Sequence, residues 1–232
     1  MWRAKYEKSL TMPSGWQQLP NGSAYCNALS DYFAPWLTKI CGYQILKIGG
    51  LSAEITCDLP LRHQISVNEK TPPNLTALLG DYHSVVQSKL TELPFIEQHI
   101  DACILTNTLN FVQDPHQVLR ETHRVLADDG YLFLSLFNPL STFMFKTRLG
   151  EFPLRHYCAW RVADWLELLN FEILEQQNLA LNERQSGWFS PLIVMVAQKR
   201  TYPLILNPKK VRSKIPAFLQ PAEALKAAGE NP

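Results

Sequence analysis

The pattern of apolar and polar positions alternates between short apolar runs and longer stretches with helical periodicity. The runs that predict strands lie at residues 43–52, 63–67, 81–87, 100–106, 131–137, 171–175 and 192–197. Apolar residues spaced three or four apart predict helices at residues 24–41, 114–126 and 159–169. Strands that alternate with helices in this way favour an α/β domain with helices on both faces of a mostly parallel sheet.

The order of strands and helices is predicted most firmly for the segment that begins with Ile100–Thr106. This run is continuously apolar, which is typical of a parallel strand buried on both faces. The helix after it is predicted to begin at Asp114 as its N-cap, with Gln117 completing a capping box, and to stop at Asp128–Gly130. A strand follows at once, so the unit is a right-handed β-α-β crossover.

A glycine pair, Gly49 and Gly50, closes the first strand. In α/β sheets a ligand binds outside the carboxyl ends of the strands, where a glycine turn leads into a helix N-terminus. Read alone, the pair is also compatible with an ordinary strand-ending turn. Only about a dozen residues, Leu51–Arg62, precede the next strand, which is too few for a full crossover helix with its loops.

Composition narrows the class of protein. The chain has 232 residues, 46% of them hydrophobic, and a net charge of +1, which favours one globular core domain and gives no general attraction to nucleic acid or membrane. The five cysteines are widely spread and never spaced C-x-x-C, so we expect reduced thiols and no metal. No apolar stretch approaches the roughly 18 residues that span a bilayer, and the start of the chain lacks a signal-peptide pattern. We therefore expect a soluble cytoplasmic protein.

Several motifs carry a family resemblance. The run from Leu93 to Ser135 contains Leu93-Pro-Phe, Ile100-Asp-Ala-Cys-Ile-Leu and Asp129-Gly-Tyr-Leu-Phe-Leu-Ser. It resembles the central half of class I S-adenosylmethionine-dependent methyltransferases, in their broad small-molecule branch. Arg155-His-Tyr and the segment 165–174 extend the match to roughly residues 40 to 198. The segments Leu46-Lys-Ile-Gly and Lys199-Arg-Thr to Pro208 are similar to a bacterial subgroup of that family.

The resemblance implies a three-layer Rossmann-like methyltransferase fold with a mostly parallel sheet and an antiparallel final strand. It implies S-adenosylmethionine as cofactor and a small-molecule methyl acceptor. It also divides the chain into an N-terminal extension and helix at 1–40, a methyltransferase-like domain at 41–198, and a basic, proline-containing C-terminal strap and tail at 199–232.

The same resemblance implies where the cofactor binds. Lys47 stands where the family has an acid at the end of the first strand. Glu69 is the candidate for the acid that accepts both ribose hydroxyls in the family, because a carboxylate is an acceptor that can bind two donors, and Asn68 is the weaker candidate. The positions that we expect to contact the cofactor, in chain order, are Lys47, Gly49, Gly50, Glu69, Lys89, Leu90, Thr106 and Asn107.

Catalytic groups are not assigned by the motifs. His156 and Tyr157 follow the fifth main strand and are candidates for assisting proton removal, with a packed loop as the alternative. His116 and His123 are seven positions apart, unlike the spacing of four in a helical metal-binding pair, so no metal site is predicted.

Two other functions stay open. Lys47, Lys89 and the short segment after Gly50 also fit a catalytically inactive Rossmann-like binding or scaffold protein without normal cofactor binding. Basic residues near the end of the chain are compatible with RNA as partner or substrate; they are Lys199, Arg200, Lys209, Lys210, Arg212 and Lys214.

Overall fold

The computed structural model describes residues 11–59, 62–181 and 187–201. The strands are β1 Gln44–Ile48, β2 His63–Asn68, β3 His83–Gln87, β4 Ile100–Thr106, β5 Leu126–Phe137, β6 Arg148–Leu149, β7 Phe152–Pro153, β8 Phe171–Leu179 and β9 Leu192–Lys199. Seven of them form one sheet in the order β3-β2-β1-β4-β5-β9-β8, while β6 and β7 form a separate ribbon. All seven predicted strands are present, although several extend further than predicted.

Helices cover both faces of the sheet. They are α1 Gly22–Leu37, α2 Gly50–Ala53, α3 Pro73–Thr76, α4 Pro115–Val125 and α5 Ala159–Leu168. On one face, Leu29 and Phe33 of α1 pack in a buried cluster with Ile104 of β4. On the other face, Val118 of α4 and Leu166 of α5 share a cluster with the alternate residues of the strands. The molecule therefore has the three layers that the sequence predicts.

The direction of the strands defines one functional edge. β1 pairs in parallel with β2 and β4, and β4 pairs in parallel with β5. β9 is antiparallel to both of its neighbours, β5 and β8, which confirms the predicted antiparallel final strand. Because parallel strands end at the same edge, the carboxyl ends of β2, β1, β4 and β5 follow one another there.

The start of α4 is only partly as predicted. Asp114 is the N-cap, since its Oδ1 accepts a hydrogen bond of 3.2 Å from the backbone N–H of Gln117. The predicted capping box is wrong, because the Gln117 side chain donates to the Thr91 carbonyl at 3.5 Å instead of returning to the cap.

The helix predicted at 114–126 ends at Val125, within one residue of its predicted end, but β5 begins earlier than the predicted Tyr131. Leu126 already belongs to β5, where it pairs with Ile100. Strand pairing with β4 therefore begins before the turn residues are reached, and Asp129 adapts with a φ of 59° inside the strand.

The predicted domain boundaries stay predictions, and residues 202–232 of the predicted tail lie outside the described part. Within the described residues, no helix is both long enough and apolar enough to cross a bilayer.

Candidate functional site

The turn between β1 and α2 requires glycine at position 49. Gly49 has a φ of +92°, and a Cβ there would lie 2.9 Å from Oγ1 of Thr108. Its backbone N–H donates to the Val67 carbonyl at 2.8 Å, which ties the end of β1 to β2. Both the backbone conformation and the lack of space exclude a side chain at this point of the functional edge.

Buried hydroxyl groups brace this turn against β4. Ser52 Oγ and Thr108 Oγ1 each donate to the Ile48 carbonyl at 2.7 Å. The backbone N–H of Thr106 donates to Ser52 Oγ at 2.9 Å, and the Thr106 hydroxyl lies 3.2 Å from the same atom. α2 spans only Gly50–Ala53, as the short segment predicts, so these side-chain contacts hold the turn in place of a longer helix.

Residues 11–19, which we name the N-terminal strap, lie on the glycine turn. A Cβ on Gly50 would come within 2.6 Å of the backbone of Ser14, so the strap and the glycine turn are in direct backbone contact. Trp16 is fully buried, and its Nε1 donates to the Leu51 carbonyl at 2.8 Å. This contact was not predicted from the sequence, although a single Trp in a polar segment is a signal for a buried anchor.

Lys47 is directed away from the glycine turn. Its ammonium donates to the Ile55 carbonyl at 2.7 Å and to the Ala53 carbonyl at 3.4 Å, which satisfies acceptors just after α2. The side chain is buried, and this burial lowers the pKa of Lys47, with a smaller opposing effect from Cys57. Lys47 therefore stabilises the end of α2 beneath the turn.

An open cleft of about 370 Å³ lies where β2 and β3 end, against the first turn of α4. Its lining residues are Glu69, Lys89, Leu90, Thr91, Glu92, Val112, Gln113, Asp114, Gln117 and Val118. Three of the predicted residues, Glu69, Lys89 and Leu90, are brought together here. The Lys89 ammonium is 3.4 Å from the Glu92 carboxylate, and both side chains are exposed, so this ion pair contributes little.

A larger cavity, of about 450 Å³, lies between α1 and residues 56–59. No predicted site residue lines it, and its loop precedes β2, whereas ligands of parallel sheets bind beyond the carboxyl ends of strands. We therefore place the candidate site at the cleft of about 370 Å³.

Asn107, just after β4, carries an unsatisfied donor. Its φ is 54°, its backbone N–H donates to the Ser135 carbonyl at 2.9 Å, and its Oδ1 accepts from Ser135 Oγ at 2.7 Å. Its Nδ2 is buried and has no partner among the described residues. An unpaired buried donor costs about 1–3 kcal/mol, which any acceptor placed beside it would recover.

Asn110, three residues further on, is fully bonded. Its Nδ2 donates to the Arg155 carbonyl at 2.6 Å, and its Oδ1 accepts from the backbone N–H of Phe137 at 3.1 Å. The two asparagines of this turn therefore differ: Asn110 joins β5 to the following loop, whereas Asn107 keeps a free donor.

The two candidates for proton removal are both engaged in packing. Burial is the main cause that raises the pKa of Tyr157 to about 12, so its phenol stays protonated at neutral pH and is no base. The His156 Nε2 forms a hydrogen bond of 2.7 Å with the Lys146 carbonyl. No cluster of His, Cys, Asp or Glu suited to a metal ion occurs in the part of the chain that the structure describes.

The sheet order, the glycine turn and the cleft at the carboxyl edge together define the class of protein. A family model described as "Methyltransferase domain" matches residues 46–134, from β1 through most of β5. The chain therefore carries a methyltransferase domain, in agreement with the resemblance of its motifs to the class I S-adenosylmethionine-dependent methyltransferases.

Individual relatives agree with this family. The chain is 37% identical over 235 residues to the uncharacterized protein YafS of Escherichia coli (strain K12), covering 94% of this chain and 93% of that protein. It is 28% identical to a malonyl-[acyl-carrier protein] O-methyltransferase of Acinetobacter baylyi, over 67% of this chain and 61% of that one.

A similar solved structure is the 1,6-didemethyltoxoflavin-N1-methyltransferase of Burkholderia thailandensis, with its substrate and S-adenosylhomocysteine bound. It has a TM-score of 0.58 and 17% sequence identity, and the match covers 76% of this chain and 78% of that one. At this identity the likeness concerns the fold.

The residues at the carboxyl edge fit S-adenosylmethionine. The Nδ2 of Asn107 is a donor without a partner among the described residues. The glycine turn brings the backbone to this edge, where Thr108 and Met12 pack against Gly49. The cleft adds a carboxylate, Glu69, and apolar side chains such as Leu90 and Val118. These are the groups that a nucleoside with a diol and a flat base requires.

Proposed function

We propose that this methyltransferase transfers the methyl group of S-adenosylmethionine to a small-molecule acceptor, with the adenosine half of the cofactor in the cleft beside Glu69. The observation that carries the proposal is the order of groups along the functional edge. Glu69 follows β2, Gly49 follows β1 and Asn107 follows β4, and these strands are neighbours in that order. An extended ligand lying along this edge meets all three.

The cleft supplies separate groups for ribose and base. Glu69 is exposed, and its carboxylate would accept hydrogen bonds from two vicinal hydroxyls. The apolar side chains of Leu90, Val112 and Val118 provide surfaces for a flat base. The weak ion pair between Lys89 and Glu92 is easily rearranged, so Lys89 is available to a ligand.

The glycine turn and Asn107 would hold the amino-acid half. Backbone groups of Gly49 and Gly50 are close to the edge because neither residue has a side chain, and the N-terminal strap excludes water from one side of the turn. The free Nδ2 of Asn107 would donate to a ligand acceptor, which removes the cost of the buried unpaired donor.

When bound, S-adenosylmethionine supplies a methyl group on positively charged sulfur: a lone pair of the acceptor bonds to it, the carbon–sulfur electrons return to sulfur, and the acceptor's proton passes to water. The residues of this chain contribute chiefly by holding the reactants in alignment, which lowers the entropic cost of the reaction. No strong base is required, in keeping with the raised pKa of about 12 at Tyr157.

A small-molecule acceptor is favoured over RNA by two observations. The similar solved structure from Burkholderia thailandensis has 1,6-didemethyltoxoflavin bound beside S-adenosylhomocysteine. Of the basic residues that motivate the RNA hypothesis, Lys199 is buried and donates to the Leu126 carbonyl at 2.8 Å, and Arg200 pairs with Glu172 and Asp129. Lys209, Lys210, Arg212 and Lys214 lie outside the described residues, so RNA binding by the tail stays a prediction, as does the cytoplasmic location.

Calorimetric titration with S-adenosylmethionine and S-adenosylhomocysteine tests the proposal. We expect both to bind, and we expect Glu69→Gln to weaken binding by about 10- to 100-fold, because charged hydrogen bonds contribute roughly 1.5–3 kcal/mol. The matched control is Glu97→Gln, since Glu97 is exposed near the opposite end of β4 and should leave affinity unchanged.

The alternative, a scaffold without cofactor, makes the opposite prediction: no heat and no thermal shift at millimolar concentrations of either compound. The geometry weakens one argument for the scaffold, namely the lysine at position 47. The Lys47 ammonium is hydrogen-bonded beneath the turn, and Lys47 does not line the cleft.

A further inference from the structure

A second cavity opens at the same edge of the sheet, where β5 ends. It has a volume of about 410 Å³ and lies between the start of α5, β8 and the turn that precedes β9. Its walls include Leu140, Trp160, Trp188 and Ile193, with the amides of Gln176 and Asn178 at its side. We name it the aromatic pocket. No predicted site residue lines it, and the function proposed above does not yet use it.

Hydrogen bonds from Asn138 hold two walls of this pocket in place. It follows β5 directly and is buried, and its Nδ2 donates to the carbonyls of Trp188 and Ser190, both at 2.8 Å. Its Oδ1 accepts from the backbone N–H of Leu140 at 3.0 Å. One saturated amide thus fixes both the segment that carries Leu140 and the turn that carries Trp188, so the pocket is preformed.

The lining of the aromatic pocket has no charged group. Every residue that lines the pocket is uncharged, and two are tryptophans. Trp160 and Trp188 remain 63% and 78% exposed, so apolar ring surface faces solvent without a covering partner among the described residues. Exposed apolar surface of this kind marks a binding site, and indole rings favour stacking with other flat rings.

Two side-chain amides add polar specificity. Gln176 and Asn178 are two positions apart on β8, so their side chains project from the same face of the strand. Both are exposed, and neither amide has a partner in the part of the chain that the structure describes. They offer donors and acceptors to an uncharged polar group on a ligand.

The position of the pocket relates it to the cofactor site. In the sheet, β5 is the strand next to β4 on the side away from β1, and Ser135 of β5 bonds to Asn107 after β4. Neighbouring strands are about 4.8 Å apart, so the carboxyl edge presents Glu69, Gly49, Asn107 and then the aromatic pocket within a few strand widths. The pocket therefore lies beyond the end of the site where the reactive group of the cofactor belongs.

We propose that the aromatic pocket binds the methyl acceptor, and that this acceptor is uncharged and carries a flat aromatic or heteroaromatic ring. The proposal rests on the proposed function and names its substrate class. A charged ligand would lose its hydration in a pocket with no counter-charge, which is costly. A flat uncharged ring instead gains contact with the two indoles while its polar substituents reach the amides of Gln176 and Asn178.

Titration with two probes of equal shape and different charge tests the proposal. The probes are 2-naphthol, which is neutral at pH 7, and 2-naphthoate, which carries a carboxylate. We expect 2-naphthol to bind at least about tenfold more tightly than 2-naphthoate. Trp188→Ala and Trp160→Ala should each weaken 2-naphthol binding by about tenfold. The control is Phe145→Ala, since Phe145 is 87% exposed but does not line the pocket.

The outcomes separate this proposal from the previous one. Equal binding of both probes, or naphthol binding that is unchanged in both tryptophan variants, would overturn the aromatic pocket as the acceptor site. Glu69→Gln should keep naphthol affinity while losing S-adenosylhomocysteine. If the wild-type chain binds naphthol but neither cofactor form, the proposed methyltransferase function fails. The pocket would then still bind uncharged flat rings, but its role as the acceptor site would be rejected.

Discussion

The two sides of the carboxyl edge are held together by different means. On the side of β4, α4 and β5, regular elements dominate: long buried strands pair in parallel, and a capped helix of eleven residues connects them. On the side of the glycine turn, α2 has only four residues, and the structure depends on single contacts from distant positions. Ser52, Thr108 and the N-terminal strap provide them.

This difference has a consequence for function. Regular pairing distributes stability over many similar bonds, so that loss of one contact leaves the element in place. Only a few contacts stabilise the glycine turn, and each of them also shapes the surface where the cofactor is proposed to bind. Substitutions on the turn side should therefore change ligand affinity and stability together. Those on the β4 side, apart from Asn107 with its unpaired Nδ2, should change stability with little effect on affinity.

The largest effect is expected for Gly49→Ala. The methyl group would meet Thr108 Oγ1 at 2.9 Å in a residue whose φ is +92°, so strain and crowding together should cost roughly 2–5 kcal/mol. Chemical denaturation and cofactor titration should both show the loss. Gly80→Ala is the control, because a Cβ there meets no atom within 4 Å. Near-normal stability and affinity in Gly49→Ala would show that the turn adapts freely.

The same contrast explains what could be predicted from the sequence. β4 was predicted with its observed bounds, and α4 to within a residue at its start, because a continuous apolar run and the pair Asp114-Pro115 act locally. The start of β5 was predicted five residues too late, at Tyr131, because strand pairing at Leu126 is a non-local contact that overrides the turn propensity of Asp128–Gly130.

Parts of the site depend on contacts that no local pattern reports. Glu69, Lys89 and Leu90 were predicted from a family resemblance, and the fold brings them into one cleft. Strand alternation alone does not say which face of β1 receives Lys47, nor that Ser14 lies on Gly50, because both depend on how distant segments pack. The aromatic pocket likewise joins residues from the ends of β5, α5 and β8.

The next largest effect is expected for Asn110→Ala on the β4 side. The change leaves the Phe137 N–H and the Arg155 carbonyl without their side-chain partner, which should cost about 2–3 kcal/mol. Cofactor affinity, measured under conditions where the variant is folded, should remain within about twofold of wild type, because both atoms of this amide bond inside the protein.

Asn107 in the same turn provides the matched comparison. Asn107→Asp keeps an oxygen for the Ser135 hydroxyl but removes the unpaired Nδ2 donor. We expect it to weaken cofactor binding by about tenfold, and so to reduce the thermal shift that S-adenosylhomocysteine produces. Equal affinity losses in the Asn107 and Asn110 variants would refute the distinction between a ligand donor and a structural brace.

A smaller effect is expected at the N-cap of α4. Asp114 accepts one hydrogen bond from the backbone N–H of Gln117, and replacing a cap of this type by alanine costs about 1 kcal/mol. Asp114→Asn should restore nearly all of that stability, because asparagine caps equally well. Urea denaturation of the two variants measures the difference, and an Asn variant as unstable as the Ala variant would argue that the charge matters instead.

The smallest expected signal is a change in the pH dependence of stability at Lys47. Burial lowers the pKa of this amine in the folded protein, so at pH values between the lowered pKa and 10.5 the unfolded chain binds more protons than the folded one. Stability should therefore rise with pH in that window, and the cost of burying the ammonium is present below it. Lys47→Met removes this titration, so the free energy of unfolding of the wild type should rise relative to that of the variant as the pH increases through this window. The comparison is made below the pKa of about 11 to which mainly burial raises the Cys26 thiol, because the Lys47 ammonium also lowers that pKa and its loss would alter it. If the difference in unfolding free energy between wild type and variant stays constant across the window, the Lys47 amine keeps its ordinary pKa. The glycine-turn side would then lack the buried charge that distinguishes it from the β4 side.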